Sequence, residues 1–170
     1  YDLMFESSVQ GMHVYLNSGK LMFASRTNYG DFFQADSTNS NWKLDASNYM
    51  DDSTAIGDWW VSAASNTNGY SHVFIIDRGR IDHTGADRFR KLQILSADDT
   101  HYEIRYSKLD NSGVTVMTIP KNPNYGLVYF SFNNNGTLVN QAPPSSEWDF
   151  VFTKYTHVYF DEPLSSPYRY

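Results

Sequence analysis

The histidines and methionines are the side chains of this sequence that are best suited to bind a metal or a cofactor. Five histidines and five methionines are spread along the 170 residues. The sequence contains no H-E-x-x-H motif, no phosphate-binding loop, no G-x-G-x-x-G and no G-x-S-x-G elbow. Most carboxylate pairs fall in apparent turns, and a glycosidase, which needs two carboxylates across a cleft, is the remaining enzymatic alternative. The sequence therefore predicts a protein that is not an enzyme.

Composition and charge narrow the class of protein further. Cysteine is absent, so disulfides, thiolate metal sites and cysteine nucleophiles are excluded. The net charge of -6 disfavours nucleic acid and anionic membrane surfaces as partners. No run approaches the roughly 20 apolar residues that a transmembrane helix needs. Tyrosine (13) and phenylalanine (11) dominate an aromatic share of 16%, which favours strands over helices.

Short runs in which apolar and polar residues alternate predict the elements that position these side chains. Tyr102, Ile104 and Tyr106 alternate with charged or small residues, which is typical of a half-exposed strand. The run Val73–Ile76 predicts a strand that is buried on both faces. The predicted strands are Asp2–Glu6, Gly11–Asn17, Lys20–Ala24, Tyr70–Asp77, Arg88–Leu95, Tyr102–Leu109, Val114–Ile119, Val128–Phe132 and a strand from Trp148. The predicted fold is all-β, an antiparallel sandwich or an open barrel.

A short aromatic motif occurs at both ends of the chain. Residues 1–5, YDLMF, parallel residues 148–152, WDFVF, at a spacing of 147 positions that suits a tandem domain. If the two stretches are equivalent strands, Phe150 and Phe152 should be buried in the same way as their counterparts. Trp59 and Trp148 are expected to anchor the core, and Trp42 or Trp60 is the alternative choice for lining a ligand cleft.

The motif and the turn-forming residues predict the organisation of the chain. Residues 1–119 are expected to form one β unit, and the Pro- and Asn-containing residues 120–125 a linker. Residues 126–170 are expected to be either the start of a second, incomplete unit or an extension of the first. Because the chain opens in a strand and without methionine, we expect an incomplete or processed product.

The stretch from Tyr129 to Phe160 carries a family resemblance. Its pattern, YFSF followed by a glycine turn, Val139-Asn140 and Trp148-Asp149, is similar to the entry strands of the HmuY-like haem-binding proteins, surface lipoproteins of Bacteroidetes. Residues 1–20 are similar to the same Trp-Asp strand and its successor. Three further stretches resemble later strands of that family in order: Gly57–Trp60, Val73–Ile76 and Lys91–Ile94. The resemblance implies an HmuY-like β fold at the cell surface, on the outer membrane.

The resemblance also implies haem bound through two axial histidines or methionines. One ligand of the family follows the Gly-x-Trp strand, where this chain has only serine and alanine from Ser62 to Ser65. The other lies in a loop before that strand, where this chain offers only Met50. Two substitute pairs are therefore the candidate haem ligands, Met50 with His72 and His83 with Met117. The alternative is a scaffold that holds another small molecule or only a protein partner.

Two classes of function follow. The resemblance implies a non-enzymatic surface lipoprotein that captures a nutrient such as haem for a TonB-dependent outer-membrane transporter. The alternative is a structural or adhesive β module of an envelope assembly without its own ligand, or a carbohydrate-binding module, since exposed aromatic rings stack on sugar faces. The triplets Asp36-Ser37-Thr38 and Asp52-Ser53-Thr54 resemble the O-glycosylation signal of Bacteroidetes envelope proteins, which would place a glycan on Ser37 or Ser53.

Overall fold

The structure, a computed structural model, describes residues 1–27, 30–38, 41–46, 50, 53–60, 72–140, 143–150, 152, 154–157 and 168–169. Over these residues the chain forms strands and short 3-10 turns, and its two large antiparallel sheets do not close into a barrel. The predicted all-β fold is therefore confirmed, in the form of a sandwich. The strands are β1 (Leu3–Glu6), β2 (Val14–Leu16), β3 (Phe23–Arg26), β4 (Val73–Asp77), β5 (Phe89–Ala97), β6 (His101–Ser107), β7 (Thr115–Pro120), β8 (Leu127–Ser131), β9 (Thr137–Val139), β10 (Thr156–His157) and β11 (Tyr168–Arg169).

The first sheet has the strand order β2-β1-β8-β9, and β1 lies inside it. Leu3 faces Leu16 of β2 on one side and Phe130 of β8 on the other. Strands β8 and β9 therefore pair onto the N-terminal strand instead of beginning a sheet of their own.

The expected linker is the connection between β7 and β8, and hydrogen bonds hold it to the sandwich. The N–H of Lys121 donates to the carbonyl of Thr100 at 2.7 Å. The N–H of Asn122 donates to the hydroxyl of Ser7 at 2.7 Å, and that hydroxyl donates to the Asn122 carbonyl at 2.9 Å. The connection is thus fixed to the turn between β5 and β6 and to the residue that follows β1.

The second sheet is a meander with the order β3-β4-β5-β6-β7. An isolated bridge between Ala24 and Lys43 brings the segment around Trp42 alongside β3, at the edge of this sheet. The residues of β6 that were predicted to face inward, Tyr102, Ile104 and Tyr106, are all buried. Their period of two therefore identified the inner face correctly.

One apolar core fills the space between the two sheets. Both sheets and the segment 55–60 contribute to it, and its members include Leu3, Phe5, Leu16, Phe74, Ile76, Leu92, Tyr102, Phe130 and Trp59. The indole N–H of Trp59 donates to the carbonyl of Met12 at 2.6 Å, so its polar edge is satisfied inside the core. The expectation that Trp59 anchors the core is confirmed.

A second, smaller apolar cluster lies on the outer face of the second sheet. Because side chains alternate along β4, Val73 and Ile75 point outward, where Phe32 and Ala35 cover them. The predicted burial of both faces of β4 is confirmed. The ammonium of Lys91 donates to the carbonyls of Phe32 and Phe33 at 3.2 and 3.3 Å, which fixes the covering loop to the sheet.

Two expectations about the C-terminal aromatic residues are wrong. Trp148 is 39% exposed and does not anchor the core, and Phe150 and Phe152 are 85% and 98% exposed. Their counterparts Leu3 and Phe5 are completely buried. Alternation reports a tendency to form a strand, but a strand also needs a neighbour to pair with, and the structure assigns these three aromatic residues to no sheet. We refer to Trp148, Phe150 and Phe152 as the C-terminal aromatic segment.

Candidate functional site

The first pair of predicted haem ligands, Met50 and His72, differs sharply in environment. Met50 lies on a loop and is 55% exposed. His72 precedes β4, and its Nε2 contacts the guanidinium of Arg26 on β3. Burial and the charge of Arg26 lower the pKa of His72, which keeps the imidazole neutral near pH 7. The nitrogen that would bind iron is therefore already held by Arg26.

The second pair, His83 and Met117, lies on different elements, His83 on the loop after β4 and Met117 on β7. The Nδ1 of His83 lies 3.2 Å from the carboxylate of Asp87, while its buried Nε2 has no hydrogen-bond partner in the described structure. Met117 lies on β7 opposite Ile104 and packs against the core. Two strands separate β7 from β4, which His83 follows, a distance of roughly 14 Å at the usual strand spacing. The described geometry does not bring the two donors together.

These placements decide how well the candidate donors fit haem. An axial pair has to approach one iron from opposite sides of an open cleft. The free nitrogen of His83 is enclosed, 4.0 Å from the carboxylate of Asp2, and Met117 faces the core. Among the described residues, no group of three or more His, Asp or Glu side chains is arranged to hold a metal ion. The four donors do not fit an axial pair as they stand, and haem binding stays a prediction.

A buried ionic network surrounds His83, and its centre is Asp2. The Oδ2 atom of Asp2 accepts hydrogen bonds from the guanidinium of Arg78 at 3.1 Å, the N–H of Phe132 at 2.8 Å and the hydroxyl of Ser131 at 3.0 Å. Lys20 donates to Oδ1 at 3.3 Å. Burial alone would raise the pKa of Asp2, but Arg78 and Lys20 outweigh it and hold that pKa below its usual value.

The guanidinium of Arg78 connects Asp2 to the other members of this network. Its Nη1 atom contacts the carboxylate of Asp87 at 3.3 Å, and Nη2 donates to Asn133 at 2.6 Å. The hydrogen bond from Arg90 is the largest cause that lowers the pKa of Asp87. Both carboxylates are thus ionised and paired with cations. The charges of this network are paired with one another, and they join the N-terminal strand to the loop that follows β4.

A second group of polar and aromatic side chains lies on the outer surface. We name Trp42, Asp77, Arg88 and Phe89 the outer-face platform. Asp77 and Phe89 are cross-strand neighbours on β4 and β5. The ring centroids of Trp42 and Phe89 are 6.0 Å apart with 40° between the ring planes. The guanidinium carbon of Arg88 lies 4.8 Å from the centroid of Phe89.

An ion pair forms the polar part of the platform. The Nε of Arg88 donates to Oδ1 of Asp77 at 2.8 Å, and Nη2 donates to Oδ2. These hydrogen bonds are the largest cause that raises the pKa of Arg88 above its usual value. Oδ1 also accepts the N–H of Gly79 at 3.0 Å. The carboxylate therefore accepts three hydrogen bonds, whereas the guanidinium keeps N–H groups that Asp77 does not use.

Of the two tryptophans considered for a ligand cleft, the structure places only Trp42 at an open surface of this kind. Trp42 is 37% exposed and contacts Phe89, the ring that Arg88 also contacts. Trp60 packs edge-on against His13 and Trp59, with centroid distances of 4.9 and 5.8 Å. Sequence reasoning did not single out Asp77, Arg88 or Phe89. The alternation of β4 and β5 assigns two of them to one face, but the approach of Trp42 depends on a loop that has no period.

A buried carboxylate holds the loop segments next to β2. Asp45 accepts the N–H groups of Leu16 at 2.6 Å and Ala55 at 2.7 Å. Burial raises the pKa of Asp45 to about 6, although both hydrogen bonds act in the opposite direction. A small cavity beside it has a volume of about 10 Å³, and its lining is Leu16, Ser18, Leu21, Met22, Leu44 and Asp45. Asp45 therefore joins its own loop to the segments of Leu16 and Ala55 through backbone hydrogen bonds.

Comparison with protein families, with curated proteins and with solved structures found no match. Among the described residues, no helix is long and apolar enough to cross a bilayer. The fold, the outer-face platform and the C-terminal aromatic segment are therefore the features from which a function is inferred.

Proposed function

We propose that this chain is a non-enzymatic binding module of the bacterial cell surface that docks an envelope protein through its C-terminal aromatic segment. The observation that carries the proposal is the exposure of Phe150 (85%) and Phe152 (98%) next to the half-exposed Trp148. Exposed aromatic residues in close succession are typical of protein interaction sites. Tryptophan and phenylalanine are also enriched at the centres of such interfaces.

The spacing of the segment suits one mode of docking. In an extended chain Trp148, Phe150 and Phe152 lie on one face, because side chains alternate. A strand of this kind adds to an open sheet edge of a partner, where backbone hydrogen bonds give affinity and pockets for alternate side chains give specificity. The aromatic side chains would then serve as buried anchors of the interface.

The resemblance to HmuY-like proteins indicates which class of envelope protein the partner belongs to. It favours a TonB-dependent outer-membrane transporter that receives a captured nutrient. Haem is the nutrient that the resemblance implies, and titration of the chain with haem tests it directly. A shift of the Soret band at a defined stoichiometry supports haem capture, and an unshifted band up to excess haem contradicts it.

Site-specific photo-crosslinking tests the docking proposal. The chain is made with p-benzoylphenylalanine at position 150 and, as the matched control, at Phe33, which is 54% exposed on a loop of the sandwich. Both proteins are irradiated with a Bacteroidetes outer-membrane preparation. We expect a discrete crosslink to one outer-membrane protein from position 150 and none from position 33.

Two results point elsewhere. Equal crosslinking from positions 150 and 33 contradicts docking through the aromatic segment. A crosslink from position 150 only to a second copy of the chain favours the alternative function, a structural β module that assembles with itself.

A further inference from the structure

We propose that the outer-face platform is a binding site for a neutral carbohydrate, in which Trp42 stacks on a pyranose ring and Arg88 hydrogen-bonds its hydroxyls. The inference rests on the proposed function in one respect, because it names the class of nutrient that the module captures. The site itself is argued from the platform alone and uses no residue of the C-terminal aromatic segment.

The aromatic part of the platform is built to receive a flat apolar surface. One side of Trp42 is turned to Phe89, with 6.0 Å between the ring centroids, and 37% of the residue remains open to solvent. The C–H groups on one face of a pyranose ring form an apolar surface about as wide as an indole. Stacking the two removes apolar area from water while the sugar hydroxyls stay at the rim.

The polar part is carried by Arg88, which contacts the same Phe89 ring as Trp42 does. A guanidinium has five N–H donors, and Asp77 engages only Nε and Nη2 of Arg88. The Nη1 atom has no hydrogen-bond partner in the described structure, and the Arg88 side chain is 32% exposed. A hydroxyl oxygen is a suitable acceptor for these donors. The proximity of Asp77 neutralises the guanidinium, which favours a neutral sugar over an acidic one.

The platform is also rigid, which limits the entropy lost on binding. Phe89 packs against the second apolar cluster beneath it. The bidentate ion pair fixes the plane of the Arg88 guanidinium, because both of its bonds to Asp77 must be kept. Lys91 on the same strand fixes the neighbouring loop through the Phe32 carbonyl and through Asn111 at 2.8 Å. A preorganised aromatic ring next to oriented donors is the arrangement that small polar ligands require.

The test uses the whole chain and a printed array of neutral and acidic oligosaccharides. Binding to any neutral glycan found there is then measured by isothermal titration with three variants. We expect Trp42→Ala to weaken binding by about tenfold or more and Arg88→Gln to weaken it severalfold. Trp148→Ala is the matched control, because it removes a tryptophan of similar exposure (39%) away from the platform. It should leave glycan affinity unchanged.

Three outcomes overturn the proposal: no neutral glycan bound by the chain, binding that Trp42→Ala leaves intact, or binding that Trp148→Ala weakens as much. Thermal unfolding of each variant checks the fold, and Trp42→Ala should change the midpoint of unfolding little because Trp42 is partly exposed.

The double variant Phe150→Ser/Phe152→Ser separates this proposal from the proposed function. It should lose co-sedimentation with Bacteroidetes outer-membrane vesicles and keep its affinity for the glycan.

Discussion

The carboxylate of Asp2 lies 3.1 Å from the guanidinium of Arg78, and both side chains are fully buried. The two residues are 76 positions apart, and their contact joins β1 of the first sheet to the loop that follows β4 of the second. Because Ser131 and Phe132 bond to the same carboxylate, three segments meet at this one ion pair. Its role is to hold the two sheets together at one end.

Substituting Arg78→Met should lower the free energy of unfolding by roughly 3–5 kcal/mol, because it leaves Asp2 buried with weaker compensation. The double variant Asp2→Asn/Arg78→Met should cost less than the sum of the two single variants, since it removes both charges. Urea unfolding of the four proteins measures both quantities. If the change in the free energy of unfolding of the double variant equals the sum for the two single variants, the two side chains do not act as a pair.

Asp45 should make stability depend on pH in an unusual direction. Its pKa is about 6 in the folded chain and 3.8 in the unfolded one, so the folded state binds the proton more tightly. The contribution of Asp45 therefore becomes more favourable as pH falls from about 7 towards 4, by about 3 kcal/mol in all.

Urea unfolding of the wild type and of Asp45→Asn across this pH range isolates the contribution of Asp45. The difference between the two proteins should shift in favour of the wild type as pH falls. A constant difference would mean that the N–H groups of Leu16 and Ala55 balance burial, and a difference that favours the wild type more at pH 7 would mean that they outweigh it.

The two tryptophans that were both expected in the core should behave differently. Trp59→Ala should destabilise the chain by roughly 3–5 kcal/mol, the usual cost of removing a large aromatic side chain from a core. Trp148→Ala should change the free energy of unfolding by less than about 0.5 kcal/mol, as surface substitutions do. Denaturant unfolding compares them, and a similar cost for the two would contradict the exposed position of Trp148.

Lys91 should control the loop on the outer face of the second sheet. Lys91→Met removes the donor that serves the carbonyls of Phe32 and Phe33, so amide hydrogen exchange across residues 30–36 should accelerate. Lys108→Met, at an exposed position, is the matched control and should leave exchange unchanged. Unaltered exchange in Lys91→Met would show that the packing of Phe32 and the hydrogen bond from Asn111 to the Phe33 carbonyl hold the loop without Lys91.

The hydrophobic pattern of the sequence was sufficient to predict the strands that pair with a partner strand in a sheet. The period of two in Tyr102, Ile104 and Tyr106 and the apolar run Val73–Ile76 identified the buried faces, because each face contributes its own row of side chains. The same period failed at Trp148, Phe150 and Phe152, since alternation says nothing about whether a partner strand is present.

The alternation of apolar and polar residues could not predict contacts between residues that are far apart in the sequence. Asp2 and Arg78 stand in ordinary strand and loop sequences, and only folding brings the two charges together. The outer-face platform has the same origin. Trp42 comes from an irregular segment and meets Phe89 through a single bridge beside β3, so no spacing in the sequence relates the two rings.

The most direct test of the proposed function is co-sedimentation of the purified chain with Bacteroidetes outer-membrane vesicles. The wild type should sediment with the vesicles in a saturable manner, and Phe33→Ser should do the same. Phe150→Ser/Phe152→Ser should retain about a tenth of that binding or less, because we expect the loss of two aromatic anchors to weaken the affinity at least about tenfold. Equal sedimentation of the double variant and the wild type would contradict docking through the C-terminal aromatic segment.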